Sequence, residues 1–147
     1  MSTIAYLDPK VWGPHYWFFL HTVAMTYPHR PNAVTKKKFY EFIQNLPLFL
    51  PVEKISGEFS KLIDKYPVAP YLDNRDSLVR WMHFIHNKIN IKLEKPQITL
   101  NEFFVNYYNE YKSQDIKLAQ YYKIRERLIY VSVIGGIIGS IYYLYDK

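Results

Sequence analysis

From Leu128 to Tyr145 the chain carries no charged side chain, a run of about 18 residues or about 27 Å of helix. That is near the lower limit for crossing a bilayer as one helix. A surface helix keeps one polar face, and this stretch has none. It is therefore expected to be a transmembrane tail anchor, with a buried helix as the alternative. Lys117, Lys123, Arg125 and Arg127 precede it, and only Asp146 and Lys147 follow. The positive-inside rule then leaves everything upstream on the cytosolic side. Tyr142, Tyr143 and Tyr145 are expected at the far interface. Gly135 and Gly139 form a GxxxG pair, with Gly136 and Ser140 offset by one, a pattern that dimerises helices and also arises by chance. Three segments follow: a folded domain over 8–112, a basic juxtamembrane segment over 113–127 and the anchor over 128–145.

The rest of the chain reads as helices punctuated by proline. Pro14 is placed in a first helical turn, and Tyr16 to Tyr27 carries apolar residues at helical spacing. Tyr27-Pro28 ends that helix, because the residue before proline avoids the helical region. Thr35 to Leu46 is a second helix, with Phe39, Phe42, Ile43 and Leu46 on one face. Pro47 and Pro51 bend the link to a third, Glu53 to Tyr66, with Ile55, Phe59, Leu62 and Ile63 inward. Pro67 and Pro70 break the chain again. Asp73 or Asp76 is expected to cap a fourth helix that runs to about Leu93 and stops before Pro96. A shorter fifth helix covers Asn101 to Tyr111. Only five glycines and few consecutive β-branched residues argue against a sheet. The fold class is all-α: a four-helix bundle with a short fifth helix, followed by the transmembrane helix.

A chain of 147 residues supports one such domain. Aromatics make up 18% of it, enough to line a core or pocket with flat rings. The net charge of +6 is dispersed, with Lys36-Lys37-Lys38 the one run, so nucleic acid is not expected as a partner. No cysteine is present, which excludes disulfides and thiolate metal sites. Met1 to Pro9 has no apolar run, so no signal peptide is expected there.

Two groups of residues suggest a ligand. Trp17 and His21 lie one turn apart on one face, with Ala24 following, a flat slot with a polar edge. Taken alone, this pair reads better as a core tryptophan beside a satisfied histidine. The fourth helix shifts the balance. Leu78, Trp81, Met82, Ile85, Ile89 and Leu93 mark its apolar side, and His83, His86, Asn87 and Asn90 form an adjoining polar stripe that Lys92 and Lys95 extend. Solvated helix faces usually carry Glu and Lys. A line of His and Asn donors and acceptors ending in positive charge suits a large ligand with rings at one end and phosphates at the other. His83 and His86 lack a third carboxylate or thiolate ligand, so no metal is expected. No glycine-rich phosphate loop or nucleophile elbow appears.

These residues fall into motifs. Trp12-Gly13-Pro14, Trp17, Leu20-His21, Ala24 and Tyr27-Pro28 resemble the WGPxxWxxLHxxAxxYP opening of the Erv/ALR sulfhydryl oxidases. Phe42-Ile43 and Pro51-Val52-Glu53-Lys54-Ile55 fall where that family has FI and then PCxxC. Trp81, His86-Asn87, Asn90, Leu93 and Lys95-Pro96 fall on WxxxxHNxVNxxLxKP. The match spans about residues 8 to 112 and is nearest to the short versions carried by large DNA viruses, iridovirus-like ones in particular. The resemblance implies a cone-shaped bundle holding FAD in its mouth. It places Trp17 and His21 against the adenine and its neighbourhood, and His86, Asn87 and Asn90 along the adenosine and flavin portions, with His83 also among the cofactor-binding residues. Lys92 and Lys95 would approach the phosphates, with Gly13 giving close backbone approach. Asn106-Tyr107 stands where the family often has an Arg-Trp pair.

The resemblance also implies chemistry that this chain lacks. In the family, the first cysteine of the pair exchanges with incoming dithiols and the second attacks the flavin, which passes electrons to oxygen. Val52 and Ile55 occupy those positions, and neither can be a nucleophile or a redox centre. No catalytic residue is therefore assigned. Three readings follow. One is a membrane-anchored FAD-binding protein without thiol oxidase activity. Another is an oxidase whose cysteines come from a partner, such as an active paralogue in a heterodimer, since these domains commonly pair. The last is a structural or virion scaffold protein that keeps only the fold. If the chain is viral, the membrane is that of the host cell or of the virion.

Overall fold

Short polar side chains set the helix boundaries. The computed structural model describes residues 7–146, so the N-terminal stretch read above as lacking an apolar run lies largely outside the described residues. The first helix, α1, is Pro9–Met25, and the Asp8 side chain accepts from the Lys10 N–H at 2.8 Å. The helix thus starts a turn earlier than the sequence suggests. An Asp cap followed by proline is a strong start signal, and it leaves Pro14 inside the helix rather than in its first turn. The cost is small, since Pro14 deprives only the Lys10 carbonyl of a partner, near the exposed end. Asn32 caps α2, Ala33–Asn45, through the Thr35 N–H at 2.8 Å. A short 3₁₀ turn, Leu46–Phe49, leads to α3, Glu53–Lys65. Another, Ala69–Tyr71, leads to α4, Arg75–Lys92.

The cap of α4 is Asn74, which accepts from the Ser77 N–H at 2.9 Å. Neither aspartate expected there serves. Asp73 is drawn away by Lys36, at 2.6 Å, and Asp76 lies inside the first turn, where its charge complements the helix dipole. Leu100–Asn109 forms α5, and Gln114–Tyr145 forms α6. No strand occurs among the described residues.

The core lies where α1 packs on α4. Leu20 and Ala24 from α1 are buried, as are Leu78, Val79, Trp81, Met82 and Ile85 from α4. Ile43, Leu46, Phe59, Leu62 and Ile63 are buried as their spacing predicts. Phe39, Phe42, Ile55 and Ile89 are half-buried. Leu93, expected on the apolar side, is exposed because it follows the last turn of α4. Apart from one nitrogen of His21, the buried side-chain polar groups among the described residues are paired, as an apolar interior requires. The Tyr27 hydroxyl donates to the Leu72 carbonyl at 2.8 Å, and the Arg75 guanidinium donates to the Tyr27 carbonyl. The Trp81 indole donates to the Tyr66 carbonyl at 3.0 Å, tying α4 to the end of α3.

The chain divides into two compact units, one ending at Phe104 and the other beginning at Val105. The second contains α6, capped by Ser113 on the Ile116 N–H and exposed along its described length. It is the one helix among the described residues long and apolar enough to cross a membrane, with a mean hydropathy of 1.7.

Helix α3 has the weakest start. Its cap position is Val52, in extended backbone, and no side chain bonds the free N–H groups there. Valine is among the poorest residues at this position. Val52→Asp is expected to raise stability by about 1 kcal/mol, measured by urea denaturation.

Candidate functional site

Helices α1 and α4 meet in a cluster of aromatic rings. Trp17 and His21, one turn apart on α1, have centroids 5.8 Å apart and planes tilted by 29°. His86 of α4 stacks on Trp17 at 4.0 Å, nearly parallel at 9°. A nitrogen–nitrogen hydrogen bond of 2.9 Å joins His21 Nε2 to His86 Nδ1. Phe103, in the first turn of α5, covers His21 at 4.4 Å and lies 5.8 Å from His83. The slot expected beside Trp17 is thus filled by His86 itself. A spacing of 4.0 Å leaves no room for a third ring between them, so a planar ligand must pack on the outside of the stack.

His21 is 4% exposed, and its Nδ1 is the one buried side-chain polar atom without a hydrogen-bond partner among the described residues. The shared bond fixes the need of that atom. If His21 donates through Nε2, its Nδ1 is an acceptor lacking a donor. If His86 donates, His21 Nδ1 carries the hydrogen and lacks an acceptor. Burial holds His21 down at about 3, helped by the neighbouring His86 and His83. Burial likewise lowers His86 to about 4, with His83 and Lys95 adding to it. Both rings are neutral near pH 7.

The remaining predicted residues are distributed unevenly. Asn90, one turn beyond His86 on the same face, is 9% exposed. Lys95 follows closely, its N–H donating to the Asn90 carbonyl at 2.9 Å. No atom outside its own helix and chain neighbours lies within 4 Å of where a Cβ would stand at Gly13, one turn before Trp17. Asn87 and His83 turn to the protein's own backbone. The Asn87 amide donates to the Ile98 carbonyl at 2.8 Å and accepts from the Ile98 N–H at 3.1 Å, and His83 Nε2 lies 2.8 Å from the same carbonyl. They hold the segment returning after Pro96. Lys92 points to α3, where it pairs with Glu58. Asn90 and Lys92 are about 200° apart around a helix, so the spacing itself separates them.

Val52 and Ile55 lie at the start of α3, both half-buried. No thiol is present, and no three metal-ligating side chains converge among the described residues. Sequence reading missed Phe103 and Glu58. Phe103 shows only as one aromatic of a short helix, and Glu58 only as a charge beside Lys61, with which it also pairs at 3.5 Å.

The two neutral imidazoles make stability depend on pH. The unfolded chain takes up protons near the ordinary histidine value of 6.5, whereas the folded rings resist until far lower. Stability is therefore full above that value and declines as pH falls below it. The decline ends once the folded rings titrate, near 4 for His86 and 3 for His21. Denaturation midpoints should drop between pH 7 and pH 5, and His86→Phe should flatten that drop.

Comparison with known proteins identifies the family. The Erv1/Alr family matches residues 14–110. A probable FAD-linked sulfhydryl oxidase of Acanthamoeba polyphaga mimivirus is 33% identical over 97 residues, covering 65% of this chain and 68% of that protein. A putative FAD-linked sulfhydryl oxidase of Invertebrate iridescent virus 3 is 30% identical over 101 residues, covering 69% and 68%. The crystal structure of the FAD-binding domain of Erv1 from Saccharomyces cerevisiae superposes with a TM-score of 0.63 at 31% identity, covering 71% of this chain and 97% of that domain. The chain belongs to the Erv1/Alr family, and it does so without a single cysteine.

Proposed function

We propose that this chain is a membrane-anchored FAD-binding protein that does not oxidise thiols on its own. The observation that carries the reading is the buried, unpartnered Nδ1 of His21 within an otherwise complete ring cluster. A buried polar atom left unpaired costs about 1–3 kcal/mol, and a polar ligand atom removes that cost. The open space at Gly13 and the cation of Lys95 fit a large anionic ligand with flat rings. Two viral relatives are named as FAD-linked sulfhydryl oxidases.

In this reading Trp17 and His86 offer the outer face of their stack to a ring, His21 and Asn90 supply polar contacts, and Lys95 faces phosphate. His83 and Asn87 position the chain around the site, and Lys92 reaches the ligand only by leaving Glu58. Bound FAD supplies two-electron acceptor chemistry. This chain's residues contribute binding, orientation and exclusion of water. Val52 and Ile55 present saturated carbon where the family's dithiol works, so no electron pair passes from a thiol substrate.

The domain over 8–112 holds the cofactor, 113–127 is juxtamembrane, and 128–145 crosses the membrane of a host cell or virion with the main domain cytosolic. Pairing with a second copy, or with a cysteine-bearing paralogue, fits the family's habit.

Restoring the dithiol tests the separation of binding from chemistry. A cysteine at 52 would sit at the N-terminal end of α3, where a thiolate is favoured. The double variant Val52→Cys/Ile55→Cys, loaded with FAD, should consume oxygen with dithiothreitol faster than free FAD. The parent chain should match free FAD, and a faster parent contradicts the proposal.

A further inference from the structure

The basic segment before the apolar stretch is the first half of α6, which runs unbroken from Gln114 to Tyr145. Its cations do not form one flank. At about 100° per residue, Lys123 and Arg125 project about 200° apart, and Arg127 returns to within about 40° of Lys123. The apolar side chains Ile116, Leu118, Tyr122 and Ile124 are likewise spread around the axis, all exposed. A helix that lies on a membrane separates an apolar face from a cationic one. This one separates nothing, so it suits an upright helix that meets the bilayer end-on.

Along the axis the pattern is sharp. Lys123 to Arg127 spans about 6 Å of rise. The polar headgroup layer occupies roughly 5–7 Å on each side of the hydrocarbon core. Uncharged residues begin at Leu128. Among the described residues none of these three cations is paired with a carboxylate, whereas Lys117 of the same helix lies 3.8 Å from Glu110. Tyr121, Tyr122 and Tyr130 flank the collar on either side, exposed and suited to an interface.

We propose that Lys123, Arg125 and Arg127 form a collar that binds the phosphate groups of anionic lipids, so that the protein recruits such lipids around α6 and is held at a fixed depth by them. The inference rests on the anchor reading above. It adds lipid selectivity, which an apolar helix alone does not confer. The charge complementarity is direct: Lys123, Arg125 and Arg127 outweigh the one carboxylate among them, Glu126, and leave net positive charge facing a layer of phosphates.

The test uses the full chain with Ser132→Cys, which supplies its only thiol, labelled with a small fluorophore and reconstituted into vesicles. Lipids brominated in their acyl chains are compared as quenchers at equal mole fraction, phosphatidylserine against phosphatidylcholine. Quenching should report at least about fivefold enrichment of the anionic lipid next to the helix. The enrichment should vanish with Lys123→Gln/Arg125→Gln/Arg127→Gln and shrink in high salt. Equal quenching by the two lipids, or selectivity that survives the triple variant, overturns the collar while leaving the anchor intact. Quenching by neither lipid overturns both. Equal quenching together with an oligonucleotide that binds the parent but not the triple variant assigns the cations to nucleic acid and overturns the proposal.

Discussion

The contact between His21, His86 and Trp17 is the joint on which the packing of α1 against α4 depends. It lies where α1 meets α4, and it joins the helices by a stack and a hydrogen bond at once. Burying two neutral imidazoles is tolerable only because each shares a nitrogen with the other. The sharing leaves His21 Nδ1 with nothing to bond. A packed core would ordinarily replace such an atom with carbon. Its presence is what the proposed ligand-binding role of the cluster rests on.

Much of this was legible in the sequence. Helical spacing separated the buried positions of α3 and α4 from the exposed ones, and prolines marked the links. Trp17, His21 and His86 were legible as neighbours because their own helical faces carry them to one place. Asn87 and His83 were less legible. Their polar stripe is real, but whether it meets a ligand or the protein's own backbone depends on how the chain returns after Pro96, a long-range event without a periodic signature. The cap of α4 failed for a related reason. Asp73, Asn74 and Asp76 are all competent caps locally, and Lys36, far along the chain, claims Asp73. Lys92 pairs with Glu58, and its angle around the helix sets it apart from Asn90.

The fold and the chemistry of this family are therefore separable in one chain. The residues that shape the ring cluster lie on α1 and α4, and the two that would transfer electrons lie at the start of α3. Losing the latter removes no core contact, because Val52 and Ile55 are apolar, half-buried and compatible with the helix they begin. In this chain no side chain bonds the first turn of α3. The long α6 belongs to the second compact unit and is exposed along its described length.

The direct measurement is an absorbance spectrum of the purified full chain after incubation with FAD, removal of excess, and addition of dithiothreitol without oxygen. The account predicts a yellow protein whose band near roughly 450 nm bleaches no faster than that of free FAD. A colourless protein contradicts retained cofactor binding, and rapid bleaching contradicts the loss of thiol chemistry.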